Sequence, residues 1–131
     1  MSSRLSFVKL TTMEVRFLGG NCFQLRSKKV AIVTDPYFPS SDRMPKIAAD
    51  IVTFSHHIAS EGNIVKGTSR RIKPFIIDGP GEYEVSNVSI FGFSSKSKNK
   101  RNTIYVMTIE KLKMVHLGNL SGLLNDNQLE Q

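Results

Sequence analysis

The chain contains no tryptophan and one cysteine, and none of its 131 residues fall in a long apolar run. A lone Cys22 excludes an intramolecular disulfide and suits a reducing compartment. No stretch approaches the roughly 20 apolar residues of a membrane span. The segment Met1 to Thr12 carries Arg4 and Lys9 but no apolar core of the kind a secretory leader has. These absences predict a soluble, cytoplasmic protein with no membrane partner. Acidic residues are also scarce, 11 Asp and Glu against 18 Lys and Arg, for a net charge of +7. That balance favours solubility and acidic partners but carries no information on fold.

What is present is an ordinary globular composition, with 40% hydrophobic residues and eight Phe. One domain accounts for the length. Met13 marks a change of pattern, so 1–12 is read as an N-terminal extension and 13–131 as the domain. From there short β-rich runs alternate with Gly, Pro and Asn. Val15 and Phe17 form one, Cys22, Phe23 and Leu25 a second, and Val30 to Val33 a third; together they predict an antiparallel meander. The all-apolar third run suits a strand covered on both faces. Pro36, Pro39 and Pro45 predict a loop over 37–45. Ile51 to Phe54 and Phe75 to Ile77 read as further strands, with a short helix or loop between them carrying Lys66, Arg70, Arg71 and Lys73. Strands follow around Tyr83 to Phe91. The Ser- and Lys-rich stretch Ser94 to Asn102 predicts a mobile loop. Thr103 to Ile109 and Lys113 to Leu117 predict a closing hairpin, and Asn125 or Asp126 a helix N-cap. The plan is α/β or α+β, a strand-rich mixed sheet with few short helices.

Six short motifs carry a resemblance. They are Phe17-Leu18-Gly19-Gly20-Asn21-Cys22-Phe23, Thr34-Asp35-Pro36 and Ala49-Asp50-Ile51-Val52-Thr53-Phe54-Ser55-His56. After these come Ile77-Asp78-Gly79-Pro80-Gly81-Glu82-Tyr83-Glu84, Asn102-Thr103-Ile104-Tyr105-Val106 and His116-Leu117-Gly118-Asn119-Leu120. In this order they resemble the zinc-dependent hydrolase-like branch of the metallo-β-lactamase superfamily. The resemblance implies the N-terminal part of an αββα sandwich, and hence a shortened domain. A sandwich lacking its second part would leave an apolar sheet face uncovered. That predicts a homodimer or another protein partner over the face.

The same resemblance implies a damaged metal site. The family's His-X-His-X-Asp-His signature gathers metal ions that lower the pKa of a bound water. Aligned on it, His56 is retained, while Ile58, Ser60 and Glu61 stand at the second histidine, the aspartate and the third histidine. Asn119 stands where the family has a bridging aspartate, and a neutral amide bridges cations poorly. No catalytic residue and no cofactor are therefore expected. The competing expectation is a rearranged zinc site built from His56, His57, Glu61 and His116.

The remaining candidates have bland readings beside the functional ones. Asp35 reads as a turn-capping residue at a strand end, although it lies near the metal in the family. Glu82 and Glu84 read as surface turn residues, and Cys22 as a buried structural thiol. Lys96, Lys98, Lys100 and Arg101 form a basic cluster that nucleic acid or a phosphorylated ligand would neutralise with counterion release. The alternative for them is a solvated charged loop. The expected function is thus a non-catalytic binding or scaffold domain, self-associating. A metal-dependent hydrolase and a nucleic-acid-binding domain are the alternatives.

Overall fold

The meander predicted at the start of the domain is present, and it seeds the first of two sheets. The computed structural model describes residues 12–36, 46–56, 65–97, 100–120 and 124–130. Strands β1 (Glu14–Gly19), β2 (Cys22–Arg26) and β3 (Ala31–Thr34) pair antiparallel through two tight turns. The second turn closes with Ser27 N–H donating to the Val30 carbonyl at 2.9 Å. Strands β4 (Ile51–Thr53) and β5 (Phe75–Ile77) then add in parallel, giving the order β1-β2-β3-β4-β5. With neighbours on either side and side chains buried on both faces, β3 and β4 are apolar along most of their length, as parallel strands of this kind should be.

The second sheet is antiparallel throughout. It contains β6 (Gly81–Val85), β7 (Val88–Ser97), β8 (Lys100–Ile109) and β9 (Leu112–His116), in that order. Leu25, Ile32, Ile51 and Ile77 of the first sheet pack against Val88, Ile90, Tyr105, Met107 and Ile109 of the second. Alternate residues of the first sheet, Cys22, Ala31, Val33 and Val52, face outward into a second core closed by Ile47, Ala49 and Val65. One polar link crosses the main core, the Tyr105 hydroxyl donating to the Phe54 carbonyl at 2.7 Å.

Three expectations need correction or refinement. Ser94 to Asn102 is not a loop over its whole length, since β7 continues to Ser97 and β8 begins at Lys100. Ser and Lys are poor strand formers alone, but a ladder running from Val88↔Ile109 to Ser97↔Lys100 carries them along. The segment 65–74 contains no helix. It is held by an Ala48↔Lys66 bridge and by Arg70, whose guanidinium meets the buried Asp50 carboxylate at 3.0 Å. Glu82 and Glu84 are exposed, but they are strand residues of β6 and not turn residues. The closing hairpin and the C-terminal helix stand as expected. The helix α1 (Asp126–Leu129) starts from a capping box between Asn125 and Gln128. The predicted 37–45 loop lies outside the described residues, as does 1–11 of the extension.

Candidate functional site

The strands of both sheets deliver polar residues to one end of the sandwich. Asp35 follows β3, Ser55 and His56 follow β4, Asn102 lies on β8, His116 ends β9 and Leu117 to Asn119 follow it. Asn21 enters from the β1–β2 turn.

Asp35 holds a left-handed backbone conformation, φ 40°, and is buried. Its carboxylate caps the neighbouring strand rather than its own turn. One oxygen accepts Ser55 N–H at 2.7 Å and the other accepts the Ser55 hydroxyl at 2.7 Å. Its own N–H donates to the Thr53 carbonyl at 2.8 Å. Asp35 therefore welds the end of β3 to the end of β4, and the turn-cap reading is corrected to that extent. The Ser55 hydroxyl also lies 3.2 Å from His56 Nδ1.

Asn102 plays the matching part in the second sheet. Its amide donates to Ser95 Oγ and to the Leu117 carbonyl, each at 2.9 Å, and its Oδ1 accepts Asn119 N–H at 2.9 Å. Ser55 joins the halves, its carbonyl accepting Thr103 N–H at 2.8 Å. Gly118 sits where the two meet at φ 62°, and a Cβ there would lie 2.5 Å from both Asn102 Oδ1 and Ser55 Cβ. The Asn119 side-chain oxygen accepts from the Asn21 amide.

His116 completes the group. Its Nε2 lies 3.0 Å from the Asn21 carbonyl, which can only accept, so Nε2 carries the hydrogen. Nδ1 is buried without a hydrogen-bond partner, 3.9 Å from Asp35 Oδ2 and too far for a hydrogen bond. Burial holds the imidazole below its ordinary value, against the opposing pull of the Asp35 charge and of the Asn21 hydrogen bond. Cys22 is fully buried, and burial reinforced by Asp35 pushes its thiol up to about 12. That suits the structural reading and not a nucleophile.

Of the residues nominated for metal, the fold brings His56 and His116 to this end of the molecule. His57 and Glu61 lie outside the described residues. Among the described residues no three His, Cys, Asp or Glu side chains gather within reach of one ion. Most of the donors described are engaged with one another, His116 Nδ1 excepted. Both Asp35 oxygens serve Ser55, His116 Nε2 donates to a carbonyl, and Asn119 accepts from Asn21. By themselves the described residues do not supply the three or four free ligands and open position of a hydrolytic zinc centre. Lys100 and Arg101 lie exposed at the far end of the β7–β8 hairpin, with Lys96 opposite Arg101, and Lys98 lies outside the described residues. The integrating residues Ser55 and Asn102 escaped nomination. Both stand in motifs quoted for the resemblance, but neither residue type signals a site by itself.

The comparisons fit this geometry. Residues 14–131 match the β-lactamase superfamily domain. No curated protein matches the chain. Among solved structures, a Thermotoga maritima protein proposed to be a Zn-dependent hydrolase of the metallo-β-lactamase superfamily is similar at 34% identity, with a TM-score of 0.77. The similarity covers 91% of this chain and 56% of that one, so the chain spans little more than half the length of this relative. A family match from Glu14 to Gln131, over a strand-rich fold that superimposes on a solved member, establishes that the chain belongs to the metallo-β-lactamase superfamily.

Proposed function

We propose that the chain is a non-catalytic member of its superfamily, a self-associating binding or scaffold domain in which hydrogen bonds stand in for metal–ligand bonds. The observation that carries this reading is the double engagement of Asp35 by Ser55, at 2.7 Å through each oxygen. A carboxylate so used, beside the neutral pair Asn102 and Asn119, joins the strand ends without a cation. Self-association draws support from apolar side chains left on edge strands, Val15 and Phe17 of β1 at 51% and 64% exposure and Val115 of β9 at 56%. Such strands also offer unpaired backbone groups to a partner. The test is metal content by mass spectrometry together with mass in solution by light scattering. Metal-free dimers are expected; near-stoichiometric zinc in a monomer overturns the reading.

A second reading draws on the Thermotoga relative and on the unpartnered Nδ1 of His116. In it a rearranged zinc site of His56, His57, Glu61 and His116 hydrolyses a substrate. It requires that His56→Ala remove both bound metal and activity. Metal content and activity unchanged by that substitution reject it.

A further inference from the structure

The order of residues along β1 makes its open edge complementary to itself. The Ser27 N–H bond to the Val30 carbonyl closes the β2–β3 turn, and bonded pairs alternate from there along the antiparallel ladder. Leu25 and Phe23 therefore turn their backbone groups to β3, and the Phe23 N–H meets Thr34 Oγ1 at 3.0 Å. Arg26 and Gln24 turn theirs to β1, where they face Glu14 and Arg16. The backbone N–H and C=O groups of Val15 and Phe17 are left directed at the open edge. Side chains sort in the same way. Glu14 and Arg16 lie on the face of Arg26 and Gln24 and meet them at 2.9 and 3.4 Å. Val15 and Phe17 share the other face with Leu25 and Phe23, yet both are exposed, because the second sheet stops short of β1.

Resting on the self-association reading, we infer that two copies join through β1, paired antiparallel about a two-fold axis at Val15, so that their first sheets become continuous. The register carries the inference. Val15 meets the partner's Val15 as a bonded pair, since its backbone groups are the free ones. Glu14 then stands directly opposite the partner's Arg16, and Arg16 opposite the partner's Glu14, an arrangement that stabilises a ladder. On the other face Met13 and Phe17 flank Val15, Met13 lying opposite the partner's Phe17, and the strip is apolar throughout. Centred on Arg16 instead, the pairing would set the two arginines against each other. The bulge between Phe17 and Gly19 ends the stretch that can pair. The other edges suit a second copy less well. In β5 the Phe75 N–H and the Ile77 carbonyl already bond towards β4, which leaves Ile76 alone at the edge. A two-fold at Tyr83 of β6 would oppose Glu82 to the partner's Glu84, and one at Met114 of β9 would offer Lys113 only the partner's Val115. An isologous contact needs one strand that answers its own charges, and β1 is that strand.

The test follows dimerisation of the whole chain by sedimentation velocity and by cross-linking. Glu14→Arg and Arg16→Glu each set like charges across the axis at both symmetry-related places, and each should weaken the dimer by about tenfold. An equimolar mixture of the two variants restores opposite charges at both places. It should regain native-strength association as a heterodimer, which an unfolded variant could not do. Val15→Cys brings two thiols together across the axis with Cα atoms about 5.5 Å apart, within disulfide reach. That variant should give a covalent dimer on mild oxidation, whereas Val115→Cys, exposed on β9, should not. The native Cys22 is buried and stays out of the reaction. A monomeric native chain removes the self-association reading and this interface with it. A native dimer that tolerates both charge variants, is not rescued by mixing them, or cross-links through Val115→Cys instead of Val15→Cys overturns the β1 interface and leaves self-association standing.

Discussion

Gly118 has little freedom to change. A side chain at φ 62° is strained, and this one would also enter the Asn102–Ser55 contact. Gly118→Ala should cost about 2–4 kcal/mol, read as a lower urea midpoint. Asp50 carries a different kind of dependence. Burial by itself would raise its carboxyl, but Thr68, the Ala31 N–H and Arg70 together hold it below the ordinary carboxylate value. A depressed acid contributes stability above its unfolded value near 3.9, and that contribution is lost as pH falls through the folded value. Asp50→Asn should therefore lower stability at neutral pH by about 2–3 kcal/mol and flatten the acid limb of a stability–pH curve. His116 acts in a higher pH range. With its folded value below 6.5, the unfolded chain takes the proton first, so stability should decline as pH falls from about 6.5 to the lower folded value. His116→Gln, which retains a donor towards Asn21, should remove this decline; an unchanged profile would assign the slope to another group.

At the scale of elements, one contact between the sheets depends on a hydroxyl and a missing side chain. Gly92 on β7 lies opposite Tyr105 on β8, and a Cβ at Gly92 would fall 2.9 Å from the Tyr105 ring. The ring thus lies close over bare backbone, and its hydroxyl reaches the Phe54 carbonyl in the other sheet. Burial raises the phenol well above its ordinary value, so the hydroxyl remains a donor at any physiological pH. Tyr105→Phe should cost about 1–2 kcal/mol in urea denaturation by leaving a buried carbonyl short of a partner. Gly92→Ala should cost about 1–3 kcal/mol by displacing the ring. If the phenylalanine variant keeps full stability, the Tyr105 hydroxyl contributes nothing to the link between the sheets.

For the whole molecule, the open strands at the sheet edges matter most. Phe17 rests against Phe23 with ring centres 5.2 Å apart, and Phe23 in turn packs edge-on against His116. The exposed apolar edge is thereby continuous with the polar cluster. Under the self-association reading, Phe17→Asp should convert dimers to monomers in light scattering while leaving the circular dichroism spectrum intact. A dimer that survives the substitution would move the interface to another edge. The chain matches 56% of its Thermotoga relative, and the activity assigned to that longer protein is a separate question from the fold the two share.

Periodicity and punctuation in the sequence determined the meander, the buried strands β3 and β4, the closing hairpin and the capped helix. Each follows from near-neighbour rules, in which a run of Ile and Val, a Ser-Lys-Lys turn or an Asn before a helix acts through the residues beside it. The motifs in order were enough to identify the superfamily, and the residues at the metal positions to show that this chain departs from its pattern there. The tertiary structure alone decided how those positions are used. Asp35 reads as a turn residue in sequence, because its partner Ser55 lies 20 residues away and meets it only when β3 and β4 pair in parallel. Asn102 reads as part of a Ser- and Lys-rich loop, because the ladder that makes it a strand residue is supplied by β7. Long-range pairing converts locally unremarkable polar residues into a fixed network, and no local pattern encodes it.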